Sequence, residues 1–370
     1  MFIKGFEQLR KDMFQECGGK AAHLGELTSL RLNVPRGFTV LGNAYYHHLE
    51  VNTLRERIKT MATALNFDDL QALEARTAEI RQLIVNAPVP AAIKQQIVDS
   101  YKKLRPASDT TAQLRAAERE EEEGGSDAQE PFVAVRSSVA IKDSAVSSFP
   151  GMMDTYHYIK GADNVVGKVR ECWASVWSAR AAFARHDKGL DHDKAVIAPT
   201  IQLMVNAEIA GVLFTINPIS GSKDEIVVES NWGLGETVVC GRYNSDLYVL
   251  TKSPCFAHPG PTCLANVTRS CDTYSAGASN TPNACVKVAK KKIAQKFETY
   301  VQAAGGGAHT AEVPPEKVNA PTLTDKQIQE LCRTVCLIEE HYGCHQDVEW
   351  AFENGDLYIL QARKARAGAN

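Results

Sequence analysis

The sequence predicts a mixed α+β fold, and three observations carry that reading. Helical periodicity of apolar residues fills long stretches near residues 52–104 and 324–343. Short, β-branched apolar runs fill much of the region between residues 196 and 250. The two kinds of segment do not alternate steadily, which argues against a βαβ-wound parallel sheet.

Taken in order, Gly18-Gly19-Lys20 opens a helix with Leu24, Leu27 and Leu30 on one side. Val34-Pro35-Arg36-Gly37 breaks it, and Phe38–Leu41 reads as a short strand. Leu70, Leu73, Ile80, Leu83 and Ile84 form one helical stripe; Ile93, Ile97, Tyr101 and Leu104 form a second. Asp68 or Asp69 can cap the first helix, and Pro88 and Pro90 separate the two. Residues 114–130 are charged and then glycine-rich, the composition of a solvated helix end and mobile connector.

Phe132–Val135 reads as a strand and 137–153 as a Ser/Gly/Pro/Met loop. Val165–Arg185 reads as one helix with Trp173 and Trp177 one turn apart. Strands are expected at 196–205, 210–216, 225–229 and 247–250, then an elaborated loop over 253–285. Thr324-Asp325-Lys326-Gln327 is a capping box for a helix whose stripe is Ile328, Leu331, Val335 and Ile338, ending at Gly343. A hairpin, Asp347–Phe352 and Leu357–Arg363, turns at Asn354-Gly355. Two domains are expected, over 1–200 and 201–370.

Composition narrows the function. The chain has 370 residues and a net charge of -3, with 44% hydrophobic and 23% charged residues. That balance gives no support to a nucleic-acid partner. No apolar run approaches the ~18 residues a membrane span needs. The N-terminus lacks the apolar core and cleavage site of a signal peptide. The ten cysteines are scattered with no CxxC pair, so they read as free, mostly buried thiols of a cytoplasmic protein.

The chemistry concentrates in the last hairpin. Asp347 and Glu349 alternate on one strand and so point to one face. Paired carboxylates repel unless a cation lies between them, and Mg²⁺ shares such oxygens with substrate phosphates. Gln361 and Arg363 repeat the spacing, and a guanidinium suits phosphate oxygens. On spacing alone, a solvated hairpin face fits as well. Parity supplies a test, because a regular two-residue turn would set Gln361 on the face opposite Glu349. A shared site needs a three-residue loop or a bulge, and the three-residue loop is the expected form. Lys20, behind two glycines at a helix start, suits an anion, but no P-loop motif surrounds it. Glu229 and Gly233-Leu234-Gly235-Glu236 add carboxylates beside flexible backbone.

Eight ordered segments then resemble one family. They are 17–27 (CGGKAAHLGEL), 34–40 (VPRGFTV), 132–138 (FVAVRSS), 149–156 (FPGMMDTY), 171–185, 207–221, 229–243 and 341–363. Together they resemble the nucleotide-binding domain of phosphoenolpyruvate synthase and pyruvate phosphate dikinase, over nearly the whole chain. The resemblance implies an ATP-grasp-like fold of two α/β subdomains with the nucleotide site between them, and Mg-ATP as ligand. It implies phosphate-contacting roles for Lys20 and Arg136, and a closing loop over Ser147–Met153 with Phe149, Gly151 and Met152. It implies an adenine pocket at Gln202, Met204 and Val205, and nucleotide contacts from Thr215 and Glu236. Asp347 and Glu349 would hold metal ions, with Gln361 and Arg363 on the phosphates. Lys20, Arg136 and Arg363 are the expected catalytic cations. Ile216 stands where some family members carry Arg.

The family passes phosphate to a carrier histidine on another domain. Here Gly305–His309 mimics that motif only weakly, because it lacks the preceding hydroxyl residue and is followed by Pro314-Pro315. The expectation is therefore a partner subunit bearing the carrier histidine and the acceptor site. The arrangement resembles the small subunit of phenylphosphate synthase, with phenol as acceptor. A phosphoenolpyruvate synthase or pyruvate phosphate dikinase domain with pyruvate as acceptor, a nucleotide-sensing subunit and an acyl-phosphate-forming ligase are the alternatives.

Overall fold

The computed structural model describes residues 1–104, 130–141, 154–252, 286–303 and 305–365. The chain divides into two compact units. One comprises Met1–Glu26, Pro35–Met204 and Ala304–Gly307; the other comprises Leu27–Val34, Val205–Ala303 and Ala308–Asn370. The mixture of helix and sheet is the α+β class expected. Residues 114–129, the loop 142–153 and the stretch 253–285 lie outside the described residues, and with them Phe149, Gly151 and Met152.

The first unit is built on an antiparallel sheet in the order β1 (Ile3–Gly5), β2 (Gly37–Val40), β7 (Thr200–Leu203), β3 (Val133–Arg136), β5 (Thr155–Ile159). A separate pair joins β4 (Val139–Ile141) and β6 (Ala195–Ile197). The run expected at 196–205 is thus two strands, split at Ala198-Pro199. Proline has no N–H for a ladder, which is a physical reason for a break there.

Helices α1 (Phe14–Ser29), α3 (Arg55–Thr63), α4 (Leu70–Asn86) and α5 (Ala91–Lys102) fall where helical pattern was expected, and α2 (Gly42–Val51) is a further helix that was not. Asp69 caps α4, its Oδ1 accepting the Ala72 N–H at 3.0 Å. The stripe on α4 is Leu73, Thr77, Ile80 and Ile84, while Leu70 is exposed. Thr77 lies inward because its hydroxyl donates to the Leu73 carbonyl at 2.8 Å, so no polar group goes unpaired. The helix expected over 165–185 is two, α6 (Ala162–Ser175) and α7 (Ala179–Asp187). Ser178 causes the division: its Oγ accepts the Ala181 N–H at 3.2 Å and starts a new helix. Trp173 on α6 is fully buried, 4.9 Å from the His48 ring and 6.3 Å from the Tyr45 ring.

The second unit holds an antiparallel sheet ordered β11 (Val286–Lys292), β10 (Asp246–Lys252), β9 (Glu225–Trp232), β8 (Ile209–Phe214), β14 (Gln346–Glu353), β15 (Asp356–Lys364). A short helix α8 (Glu236–Val239) follows β9, and a hairpin pairs β12 (Glu298–Gln302) with β13 (Ala308–Glu312). A one-turn helix α9 (Pro315–Val318) precedes α10 (Asp325–Tyr342). The α10 capping box forms as read: Gln327 N–H reaches Thr324 Oγ1 at 3.3 Å, and Gln327 Oε1 accepts the Thr324 N–H at 3.0 Å. Gly343 closes the helix at φ 62°, a left-handed conformation that suits glycine. The predicted stripe Ile328, Leu331, Val335 and Ile338 is buried against Val348, Trp350, Phe352 and Ile359. Each such side chain contributes about 1.5–3 kcal/mol on burial.

A buried ion pair locks this unit's sheet to its connections. Lys296 Nζ lies 2.6 Å from Asp246 Oδ1, and both side chains are wholly buried. The bonds around the pair are complementary: Ala294 N–H donates to Asp246 Oδ1, while Thr322 N–H and Oγ1 donate to Oδ2. Lys296 donates also to the Ala294 carbonyl. A charge pair can stay buried when its remaining hydrogen-bonding capacity is met in this way.

Candidate functional site

The hairpin β14–β15 places four of the expected site residues, Asp347, Glu349, Gln361 and Arg363. Register runs Glu353↔Asp356, Phe352↔Leu357, Ala351↔Tyr358 and Trp350↔Ile359, then shifts so that Glu349 opposes Gln361 and Asp347 opposes Arg363. The turn is therefore two residues, Asn354 and Gly355, with φ of 52° and 85°. Both angles are positive, as a type I′ turn requires. The expected three-residue loop is incorrect. The alternative device, a bulge, is present at Leu360, and it supplies the one-residue shift in parity.

The bulge puts all four side chains on one face, opposite the α10 core. Gln361 Nε2 donates to Glu349 Oε1 at 2.8 Å. Arg363 reaches Asp347 Oδ2 through Nε and Nη2, each at 2.7 Å. Asp347 is buried and Arg363 is 44% exposed. Burial raises the Asp347 carboxyl above its ordinary range; the Arg363 guanidinium opposes that rise, and the Glu349 charge adds to it. Along the same face Glu229 on β9 lies one strand beyond Val212, which itself opposes Glu349. Among the described residues no group of three or more His, Cys, Asp or Glu is placed to hold a metal ion. Asp347 and Glu349 form a two-carboxylate donor set, which fits a Mg²⁺ ion that takes its other oxygens from water and phosphate.

Thr215 supports the start of this hairpin. Its Oγ1 accepts the Gln346 N–H at 2.8 Å, and its own N–H donates to the Gln346 carbonyl at 2.9 Å. Ile216 is buried. Val205 packs with Ala210 and Ala351. Glu236 is half-buried at the first position of α8. The turn before it needs Gly233, whose φ is 73° and whose absent Cβ leaves room for Thr299 and Tyr300 of β12. Thr299 Oγ1 donates to the Trp232 carbonyl at 2.6 Å and fixes that approach.

The first unit carries its own set. Arg136 ends β3, and its Nη1 donates to Gln202 Oε1 on β7 at 2.9 Å. Gln202 is buried, and its amide faces the Pro35 carbonyl at 3.5 Å. Met204 is half-buried, its N–H donating to the Phe132 carbonyl at 3.0 Å. Lys20 is half-buried in α1, two residues after a break at Gly18, where φ is 72° and ψ 162°. That conformation is open essentially to glycine alone. His309 lies exposed on β13 opposite Val301, on a strand and not ahead of a helix.

Sequence reasoning missed three supporting residues. Ser138 lies against Gly18, Leu360 forms the bulge, and Thr299 holds the Gly233 turn. The Gly18-Gly19 pair was a signal that some other backbone approaches closely there. Nothing local in the sequence marked Leu360 or Thr299.

Among the described residues, most cysteines are buried or half-buried. Cys17, Cys172, Cys332 and Cys336 are buried, Cys344 is half-buried and Cys240 is exposed. Burial pushes the Cys17 thiol up to about 12, which leaves it unreactive. No described helix is long and apolar enough to cross a membrane.

The mixed helix-and-sheet fold is that of an ATP-grasp-like nucleotide-binding domain. Residues 14–369 match the family described as pyruvate phosphate dikinase, AMP/ATP-binding domain, and the chain belongs to that family. It is 36% identical over 362 residues to a protein named probable phosphoenolpyruvate synthase from Methanocaldococcus jannaschii, covering 98% of this chain and 26% of that protein. It is 35% identical over 402 residues to a probable phosphoenolpyruvate synthase from Pyrococcus horikoshii, covering 98% and 43%. It is 34% identical over 402 residues to the phosphoenolpyruvate synthase of Pyrococcus furiosus, with the same coverage. The chain thus spans less than half the length of these relatives.

Proposed function

We propose that this chain is the ATP-cleaving part of a dikinase-type phosphotransferase that uses Mg-ATP. The observation that carries the reading is the single face formed by Asp347, Glu349, Gln361 and Arg363. A carrier histidine attacks the β-phosphorus of ATP, the bond to the α-phosphate oxygen breaks, and AMP leaves. The γ-phosphoryl group then passes to water or to inorganic phosphate. The histidine keeps the β-phosphoryl group for the final acceptor.

Dispersed charge on a transferring phosphoryl group needs fixed cations more than it needs a protein nucleophile. In this reading Arg363, Gln361, Lys20 and Arg136 touch phosphate oxygens. Thr215 and Glu236 contact the nucleotide, Glu236 near the ribose, and Gln202, Met204 and Val205 line the adenine. Asp347 and Glu349 would hold Mg²⁺, whose charge would offset that developing on the phosphate oxygens. The carboxylates must be ionised to hold it, so the raised Asp347 makes cation affinity fall at acid pH.

The carrier histidine and the acceptor site lie on a partner subunit or on further sequence of the kind that the longer relatives possess. The relatives' names favour pyruvate as acceptor. Phenol, the acceptor suggested by the likeness to phenylphosphate synthase, is the second arm of the same assay. ATP labelled in its β-phosphoryl group is incubated with the chain and the histidine-bearing partner. Label on a histidine with release of AMP supports the proposal. ADP as product would point instead to a ligase-type reaction, and nucleotide binding without turnover to a sensing role. Dependence on pyruvate or on phenol then names the acceptor.

A further inference from the structure

Ser138 joins the segments that carry the two cations of the first unit. It is buried between β3 and β4, two residues after Arg136. Its carbonyl accepts the Ala198 N–H at 2.7 Å, which fixes its own backbone. Its hydroxyl accepts the Ala21 N–H at 3.3 Å, in the residue next to Lys20. On the other side of Lys20, a Cβ on Gly18 would come within 2.7 Å of the Ser138 carbonyl carbon and 2.8 Å of its oxygen. Lys20 is therefore bracketed by two contacts to one residue: Gly18 lies under the Ser138 backbone, and Ala21 is tied to its hydroxyl. Arg136 is fixed separately by Gln202.

We propose that Ser138 is a positioning residue that sets Lys20 relative to Arg136 and so tunes recognition of the polyphosphate part of the nucleotide. This rests on the proposed role of the chain as an ATP-binding domain. The physical reason is pre-organisation. A lysine on a flexible four-carbon stem loses much freedom on contacting phosphate, and a fixed helix start reduces that loss. Removing the hydroxyl leaves the buried Ala21 N–H without this acceptor, and the Gly18–Ala21 segment loses its anchor.

The test is calorimetric titration of the 370-residue chain with ATP and with adenosine. Ser138→Ala is expected to weaken ATP binding about tenfold and to leave adenosine binding unchanged. In a Lys20→Met background the same substitution is expected to have little further effect, because the interaction it supports is gone. Ser138→Cys, of similar volume but a weaker acceptor, is expected to lie between. Thr324→Ala removes a helix cap in the other unit as a control for general destabilisation, and it should leave ATP affinity unchanged. Equal weakening of ATP and adenosine, or an undiminished loss in the Lys20→Met background, overturns the proposal. A wild-type chain that does not bind ATP overturns the functional reading itself, whereas ATP binding unaltered by Ser138→Ala overturns this inference alone.

Discussion

Arg363→Ala separates stability from function. Arg363 makes two 2.7 Å contacts to Asp347, but its side chain is 44% exposed. Water screens a pair of that kind, so its loss should cost folding stability no more than about 1 kcal/mol. Asp347 itself is buried, and without its guanidinium the carboxyl is pushed further up and takes a proton instead. The catalytic effect is of another size. Pre-organised groups that stabilise transferring charge are each worth about 10²–10³ in turnover. Denaturant titration of the chain reads the first quantity, and AMP release with the histidine-bearing partner reads the second. Arg363→Lys keeps the charge and loses the fork, so it should fall between wild type and alanine. Titration with Mg-ATP at several pH values adds a third reading. The pH below which affinity declines should move upward in Arg363→Ala, because ionised Asp347 is harder to reach. Wild-type AMP release by Arg363→Ala, or a stability loss of several kcal/mol without a change in turnover, refutes the reasoning.

Asp246→Ala should destabilise the second unit by about 3–5 kcal/mol, because Lys296 is left charged and buried. Combining it with Lys296→Met should recover part of the loss, and urea midpoints read both; a single-mutant cost under about 1 kcal/mol contradicts the account. His48 is fully buried, and burial holds its imidazole down to about 4. A proton on Nε2 reaches the Ile84 carbonyl at 3.3 Å, so Nδ1 can accept from Asn52 at 3.4 Å. The stability this gives is full above the ordinary imidazole range and lost as pH falls toward the depressed value, on the order of 3 kcal/mol in total. Acid unfolding monitored by Trp173 fluorescence, with His48→Gln as comparison, tests it; an identical acid limb in both proteins rejects the assignment. Gly355→Ala should cost about 1 kcal/mol or more, since φ is 85° there. No change in melting temperature would contradict the turn assignment.

Residues that act through local physics were legible in the sequence. The α10 cap at Thr324 and Gln327, its stop at Gly343 and its buried stripe depend on spacing within one helix. So does the Asp69 cap of α4. Failures arose where a choice was not local. Val165–Arg185 read as one helix because periodicity continues across Ser178, whereas the serine's hydroxyl favours a new start. Strands β1, β5 and β11 to β13 are short or polar, and their pairing across the unit, more than their own pattern, makes them strands.

The hairpin shows the division most clearly. The sequence by itself determined that Asp347 and Glu349 share a face, that Gln361 and Arg363 share a face, and that Asn354-Gly355 turns the chain. It did not determine whether the two faces are one. The turn sets Glu353 opposite Asp356, and core packing sets Ile359 with Trp350 and Ala362 with Val348. Those two demands differ by one residue, and Leu360 takes up the difference. β14 is also held from its other side by β8, so its own register could not slide to remove the mismatch. Strand alternation is a property of the local backbone, and the sequence reveals it; parity between strands depends on what each must pack against, and the assembled sheet alone decides it.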